Sequence, residues 1–440
     1  MGLGWDQQAL ERGIAAKPDL IAIDGGSTDS GPHYLGTGTS KYSRSSTAAE
    51  WEGLMDARAR ANVPLVIGTA GTSGADSAVD WLVEITQEIA AKRGETLKIA
   101  VLKSNQDAES LTAAYPANHI TPLPGAPEID ADTFASCTNL VALAGAEQIQ
   151  AALDTGADIV IAGRTTDTAI IAALPLAHAM HAGAAWHGAK IGECGALCAT
   201  NPQSGVILID FDQTGFTVTP LADGAHATPR TVLAHMLYEN TDPFILHEPG
   251  GHLDVTDATY TATDDRSVRV EGSSWVPSDR YTVKLEGARV AGFQSVILAV
   301  VREPEYVAQI EAWCADIETR LKDKVQARLG DIDYTAELRI IGHSSALGAL
   351  ETANGDAPEL GVMGIITAPT QARANEIAKL LNPYLLHHPL TAEEPVPTFS
   401  FPFSPAEIDR GAAYEFCLHH VLELSDPMQA FRLETLTVGP

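Results

Sequence analysis

Leu20-Ile-Ala-Ile-Asp-Gly-Gly-Ser-Thr-Asp29 decides how the rest of the chain is read. An apolar run stops abruptly at Asp24. Two glycines, two hydroxyls and a second carboxylate follow, then Ser30-Gly-Pro-His-Tyr-Leu-Gly36. A buried strand does not need so many polar groups after it. Bare backbone and clustered polar side chains at the end of a strand mark a place where a ligand meets the chain.

Working outward, the same arrangement recurs. Short apolar runs occupy Leu20–Asp24, Val63–Gly68, Leu97–Leu102 and Asp158–Gly163, with a further one at Val206–Phe211. Helical periodicity fills the intervals at Ala48–Ala61, Ser77–Arg93 and Ala146–Thr155. A helix over Thr166–His181 is expected to be kinked or divided at Pro175. This alternation predicts a parallel sheet with helices on both faces. Polar segments follow each strand: Asp24-Gly-Gly-Ser27, Gly68-Thr-Ala-Gly-Thr-Ser-Gly74, Lys103-Ser-Asn105 and Gly163-Arg-Thr-Thr-Asp167. In an open parallel sheet those ends share one edge, so four loops are expected to meet in one crevice.

The remaining sequence divides differently. Residues 212–290 are rich in turns and short alternating segments, which predicts a mixed, β-rich insertion. Residues 291–403 run strand, helix, strand, strand, helix, strand, with strands at Phe293–Val301, Tyr334–Gly342, Gly361–Ala368 and Thr398–Phe403. That order is the one of a ferredoxin-like α+β unit. The expected fold is therefore α/β: a doubly wound, mostly parallel domain over 1–211, the insertion, a smaller ferredoxin-like domain, and a tail over 404–440.

The chain has 440 residues, 28 Lys plus Arg and 57 Asp plus Glu, a net charge of −29. Such a surface repels nucleic acid and anionic membranes, so neither is an expected partner. No apolar stretch approaches ~18 uninterrupted residues, so no membrane span is expected. Five cysteines at irregular spacing give no disulfide framework. With no secretory leader pattern at Met1-Gly-Leu-Gly-Trp-Asp6, a cytoplasmic location is expected.

Candidate residues come from the loops. Gly25, Gly26, Gly68, Gly71 and Gly74 let backbone N–H groups approach an anion. Helices starting at Ser73–Gly74 and at Thr165–Thr166 would add their positive ends. With Ser27, Ser73, Arg164, Thr165 and Asp167 these form the expected binding set for a small anionic substrate. Asp24 and Asp29 suit acid–base work, or a divalent cation held through oxygen. Asp167, placed at N2 or N3 of its helix, would also complement the dipole. Glu193 and Cys194, in Gly192-Glu-Cys-Gly-Ala-Leu-Cys198, are exposed by a glycine-flanked turn as acid–base or nucleophilic groups. Cys194 and Cys198 lack a second cysteine pair or a close histidine pair, so no thiolate metal site is expected, and Cys198 reads as buried. His252, with Asp254 nearby, is a further binding candidate. Lys284-Leu-Glu-Gly-Ala-Arg289 reads as a wall of the cleft or a hairpin.

Two resemblances follow. Asp24-Gly-Gly-Ser-Thr-Asp29 resembles the first phosphate loop of actin-like ATPases, including the hydantoinase and oxoprolinase type, although Gly31-Pro32 stands where that fold has a second strand. A wider resemblance is to the acyclic terpene utilisation protein AtuA family. Ile23-Asp-Gly-Gly-Ser-Thr-Asp-Ser-Gly-Pro-His-Tyr-Leu-Gly36, Ile67-Gly-Thr-Ala-Gly71, Ala162-Gly-Arg-Thr-Thr-Asp167, Glu193-Cys-Gly-Ala196 and Val362-Met-Gly-Ile-Ile-Thr-Ala-Pro-Thr370 carry it. The family pattern begins with an additional apolar strand, which is shortened or absent at Met1-Gly-Leu-Gly4, so one sheet edge is expected to differ. The resemblance implies catabolism of branched or unusual carboxylic acids or their CoA thioesters, with CoA as part of the substrate.

The expected activity is that of a lyase or hydratase. Asp24 or Glu193 moves a proton, Arg164 orients the anion, and amides after Gly25, Gly71 and Arg164 steady a developing enolate. An ATP-dependent hydrolase or ligase, and a non-catalytic subunit needing a partner chain, are the competing expectations. A homo-oligomer is expected on general grounds.

Overall fold

The computed structural model describes residues 4–117, 119–352 and 357–439. The protein is a mixed α/β structure with parallel and antiparallel sheets. Two compact units divide it: Met1–Arg289 with Phe416–Pro440, and Val290–Glu415.

In the first unit, Ile21–Asp24, Leu65–Gly68, Ile159–Ala162 and Leu97–Lys103 lie side by side in that order, all parallel. All four sequence-predicted strands are present. Arg432–Val438 closes the far side, antiparallel to Leu97–Lys103. Side chains alternate across the sheet. Leu65, Ile67, Ile99, Val101, Ile159 and Ile161 pack with Trp51, Leu54, Val79 and Leu82 of helices Arg44–Ala61 and Asp76–Arg93. Val66, Ala100, Leu102, Val160 and Ala162 pack the other way, with Ile149, Ile170, Ala173, Trp186 and Ala189 of helices Ala146–Leu153, Ala169–Ala177 and Ala182–Gly192. Burial on both faces explains why Leu65–Gly68, Ile159–Ala162 and Leu97–Lys103 read as continuous apolar runs. Fully burying each such side chain stabilises by about 1.5–3 kcal/mol. Trp51 Nε1, buried in this core, donates to Thr86 Oγ1 at 2.8 Å.

Several expectations change here. Val206–Phe211 does not extend the parallel sheet. Ile207–Phe211 is the edge of a separate antiparallel sheet with Gly215–Pro220, Val268–Glu271 and Thr259–Ala262. The helix after Gly74 begins at Asp76, and the helix after Arg164 begins only at Ala169. Asp167 therefore lies ahead of its helix and not within its first turn, so the dipole does not account for it. Lys284–Arg289 is not a hairpin. It belongs to the strand Tyr281–Val301, which pairs in this unit with Cys137–Ala142 and His420–Leu424. All five cysteines are free thiols.

The second unit has its own core. The latter half of Tyr281–Val301 pairs antiparallel with Leu360–Ala368, which pairs antiparallel with Thr335–Ile341. Strict alternation of buried and half-buried residues along Leu360–Ala368 turns one face toward helices Ile310–Leu329 and Gln371–His387. Ile297, Val362, Ile366, Trp313, Ile317, Ile377 and Leu381 fill the interior. The strand expected at Thr398–Phe403 does not form. Only Ser400 bridges Val300, and the last strand of this section is Glu407–Phe416. Phe399 and Phe401 pack on the core from irregular backbone, which imitates a strand in the sequence. No helix among the described residues is long and apolar enough to cross a membrane.

Candidate functional site

The four loops at the strand ends of the first unit do converge. Thr69 N donates to Gly163 O at 2.8 Å, Ala70 N to Ala162 O at 3.0 Å, Arg164 N to Gly74 O at 3.1 Å and Ser104 Oγ to Arg164 O at 3.0 Å. Their glycines serve this interlocking. A Cβ on Gly25 would stand 2.5 Å from Gly68 O, and one on Gly26, at φ +145°, 2.5 Å from Thr72 Cα. A Cβ on Gly68 would collide with Thr165 Oγ1, and one on Gly71 would stand 2.7 Å from Ala78 Cβ. The bare backbone thus admits neighbouring backbone at Gly25 and Gly26 and neighbouring side chains at Gly68 and Gly71. Gly26 N donates to Asp24 Oδ1 at 3.0 Å and Thr165 N to Thr69 Oγ1 at 3.4 Å, so two of the expected anion-binding amides are engaged within the protein. Ser73 Oγ likewise donates to Tyr34 O at 3.3 Å. Ser27 Oγ accepts from Asp29 N at 2.9 Å. The same turns carry strain. Thr69 and Thr72 are β-branched yet sit at φ +47° and +83°. Such backbone costs on the order of 1–3 kcal/mol per residue and clusters at functional sites.

Arg164 is buried, 7% exposed, and its guanidinium is fully occupied. Nε donates to Glu286 Oε2 at 3.0 Å, and one terminal nitrogen to Glu286 Oε1 at 3.3 Å and Thr28 Oγ1 at 3.4 Å. The other donates to Thr69 Oγ1 at 3.2 Å and Thr165 O at 3.1 Å, and lies 3.5 Å from Asp167 Oδ1. Five N–H groups are all that a guanidinium has. Arg164 therefore has no donor left for a substrate anion, and the role given it by the sequence is corrected: it positions the carboxyls around it. Lys284 Nζ adds a second cation to Glu286 at 3.0 Å. Burial opposes ionisation of Glu286, but Arg164 and Lys284 overcome it and hold the carboxyl down at about 2.

The other carboxyls move the opposite way. Burial, and then the charge of Asp167, push Asp24 up to about 7. Burial raises Asp167 against the pull of Arg164, and Glu286 and Asp29 add to the rise. Burial pushes Glu193 up to about 8, although Lys190 Nζ lies 2.5 Å from its Oε1. Burial and a hydrogen bond with Asp29 raise Glu239 to about 7, and burial raises Glu248 to about 7. Glu239 is itself left-handed, at φ +54°. Glu248 Oε1 accepts from Thr168 Oγ1 at 2.5 Å, which explains why Thr168 does not cap its own helix. Glu248 Oε2 is sealed from solvent with no partner. Carboxyls outnumber cations here, and in a poorly hydrated site they cannot all ionise together.

Asp24 and Cys194 line one cavity of about 810 Å³, together with the polar residues Ser27, Lys41 and Tyr238. Leu20, Ala22, Ile171, Leu174, Ile209 and Phe211 make its apolar walls. Those walls include the outer edges of Ile21–Asp24 and Ile207–Phe211, each of which ends its own sheet. Glu193 stands behind Cys194 and does not line the cavity. Asp29 is exposed and does not line the cavity. Burial, then Glu193, Glu239 and Asp24, push the Cys194 thiol up, so it is a neutral group and not a ready nucleophile. His252 does not line the cavity: it sits on Gly251–Asp254, its ring 5.6 Å from that of His247.

His235, Tyr238, Glu239, Glu248 and Glu286 escaped the sequence reading as members of this group. Each comes from a segment remote from the four loops; Glu286 lay in the noted Lys284–Arg289 stretch, and Glu248 in the glycine-rich polar turn His247-Glu-Pro-Gly-Gly-His-Leu-Asp254.

No curated protein and no solved structure matches the chain. A family model described as acyclic terpene utilisation family protein AtuA matches residues 38–402. The match begins after Asp24 and takes in Gly68, Arg164, Asp167, Glu193, Cys194 and Glu239. Covering most of the sequence, it shows that the chain belongs to the AtuA acyclic terpene utilisation family.

Proposed function

We propose that the protein is a hydro-lyase that adds or removes water at the carbon–carbon double bond of a branched acyl thioester. Family membership implies a role in acyclic terpene utilisation, broadly catabolic. The observation that carries the reaction type is Asp24, a cavity-lining carboxyl held near neutrality by burial and by Asp167. A group balanced there can take a proton and give it back. In hydration, Asp24 removes a proton from water as its oxygen bonds to the β-carbon. The double-bond electrons pass to the thioester carbonyl. The same carboxyl then returns its proton to the α-carbon, so one water is consumed and the protein ends as it began.

The choice of thioester over free acid follows from charge. Arg164 has no free donor, and the acidic groups that line the cavity are Asp19, Asp24, Glu50 and Asp210, so a substrate carboxylate would meet repulsion there. A thioester carbonyl is neutral. Lys41, exposed at the cavity mouth with Nζ 3.3 Å from Ser30 Oγ, would face the phosphates of a CoA carrier. The apolar walls would take a branched hydrocarbon chain. A panel of branched 2-enoyl-CoA thioesters and the matching free acids, followed by mass for the gain of one water, tests this reading. Hydration of a thioester without that of its acid is expected. Consumption of none of them overturns it.

A further inference from the structure

We propose a site for one zinc-like divalent cation formed by Glu193, Cys194 and His235. A carboxylate oxygen of Glu193, Sγ of Cys194 and a ring nitrogen of His235 all lie within 4.8 Å of one another. The three come from two places in the chain. Glu193 and Cys194 follow helix Ala182–Gly192, and His235 ends helix Pro229–His235. The spacing of Cys194 and Cys198 gave no hint of it, because the histidine that could complete a thiolate site is distant in sequence.

The imidazole supplies an independent observation. His235 is 5% exposed, and its Nε2 is buried with no hydrogen-bond partner. Buried polar atoms are nearly always satisfied, so an orphaned ring nitrogen beside a thiol and a carboxyl points to a missing ligand. The ring is held in place by stacking on Tyr238, with centroids 5.4 Å apart and planes 8° from parallel.

The donor set selects the ion. One nitrogen, one sulfur and one oxygen suit zinc or a similar borderline metal and do not suit magnesium or calcium, which take oxygen. Bonds of about 2.0–2.3 Å require the donors to draw closer than 4.8 Å, a movement within reach of side-chain rotation. Three protein ligands leave one position open, the arrangement of a catalytic rather than a structural zinc. Cys194 lines the same cavity as Asp24, so the open position would face the cavity. Lys190 occupies one oxygen of Glu193 and leaves the other available.

This inference stands on donor geometry and does not rest on the hydration reading. Its test is therefore spectroscopic. The full chain, stripped with chelator and kept reduced, is titrated with Co²⁺. The expected result is one ion per chain with a thiolate-to-cobalt charge-transfer band. Cys194→Ser should abolish the band, His235→Ala should weaken binding at least tenfold, and Cys198→Ser, which alters a buried thiol bonded to Gly195 O, should leave the band unchanged. Absence of the band from the wild-type protein overturns the proposal. So does a band that survives in Cys194→Ser.

Discussion

Arg164 and Asp24 show how one residue's environment decides its role. From sequence alone, Arg164 is the natural anion binder in an acidic protein. Its five donors are instead answered by Glu286, Thr28, Thr69, Thr165 and Asp167. Removing one partner of such a buried pair leaves an uncompensated charge. Arg164→Met is therefore expected to cost about 3–5 kcal/mol in denaturant unfolding. Glu286→Gln in the same chain should restore part of it, so the double variant loses less than the two single losses added together. Additive losses would count against a coupled pair. At Asp24 the neighbouring carboxyl matters most after burial. Asp24 must be ionised to act as base, so activity is expected to rise with pH through about 7. Asp167→Asn removes a charge that raises Asp24, and the rising limb should move to lower pH. An unmoved limb would show that another group governs it.

At the scale of elements, the parallel strands were legible because each is a short apolar run, three of them buried and Ile21–Asp24 a half-buried edge. Arg432–Val438 was not, because an antiparallel edge strand alternates Leu433 and Thr435 with Glu434 and reads as tail. Nor was the true start of helix Ala169–Ala177. Thr166 looks like a cap, but Thr168 and Asp167 are drawn into the site and helix formation is postponed. The loops were legible as a group and misread in purpose. Their glycines allow loop to lie on loop, and a pair of substitutions separates that role from simple turn formation. Gly74, at φ +66°, would place a Cβ against Arg164 N, whereas Gly94, at φ +67°, has nothing within 4 Å. Gly94→Ala should cost about 1 kcal/mol for the left-handed backbone alone. Gly74→Ala should cost clearly more by thermal or denaturant unfolding. Equal costs would mean that the loops yield freely.

At the scale of the whole molecule, the sequence carried the α/β class, the family resemblance and the crevice at the strand ends. It could not carry the second ring of polar groups. Tyr238, Glu239, Glu248 and Glu286 reach that crevice through long-range pairing that no local period encodes. Glu239 and Glu248 are raised to about 7 behind the cavity that Asp24 lines, which fits proton transfer by Asp24 better than anion capture. A net charge of −29 fits that preference, because the overall field disfavours a free acid at the reacting end.

The most direct test of proton transfer by Asp24 is the hydration rate of a branched 2-enoyl-CoA thioester with wild-type protein and with Asp24→Asn of matched melting temperature. The account predicts turnover by the wild type and a loss of about 10²–10⁴-fold in kcat for the variant. A variant that hydrates the thioester within about threefold of the wild type, well short of that general-base contribution, would contradict it.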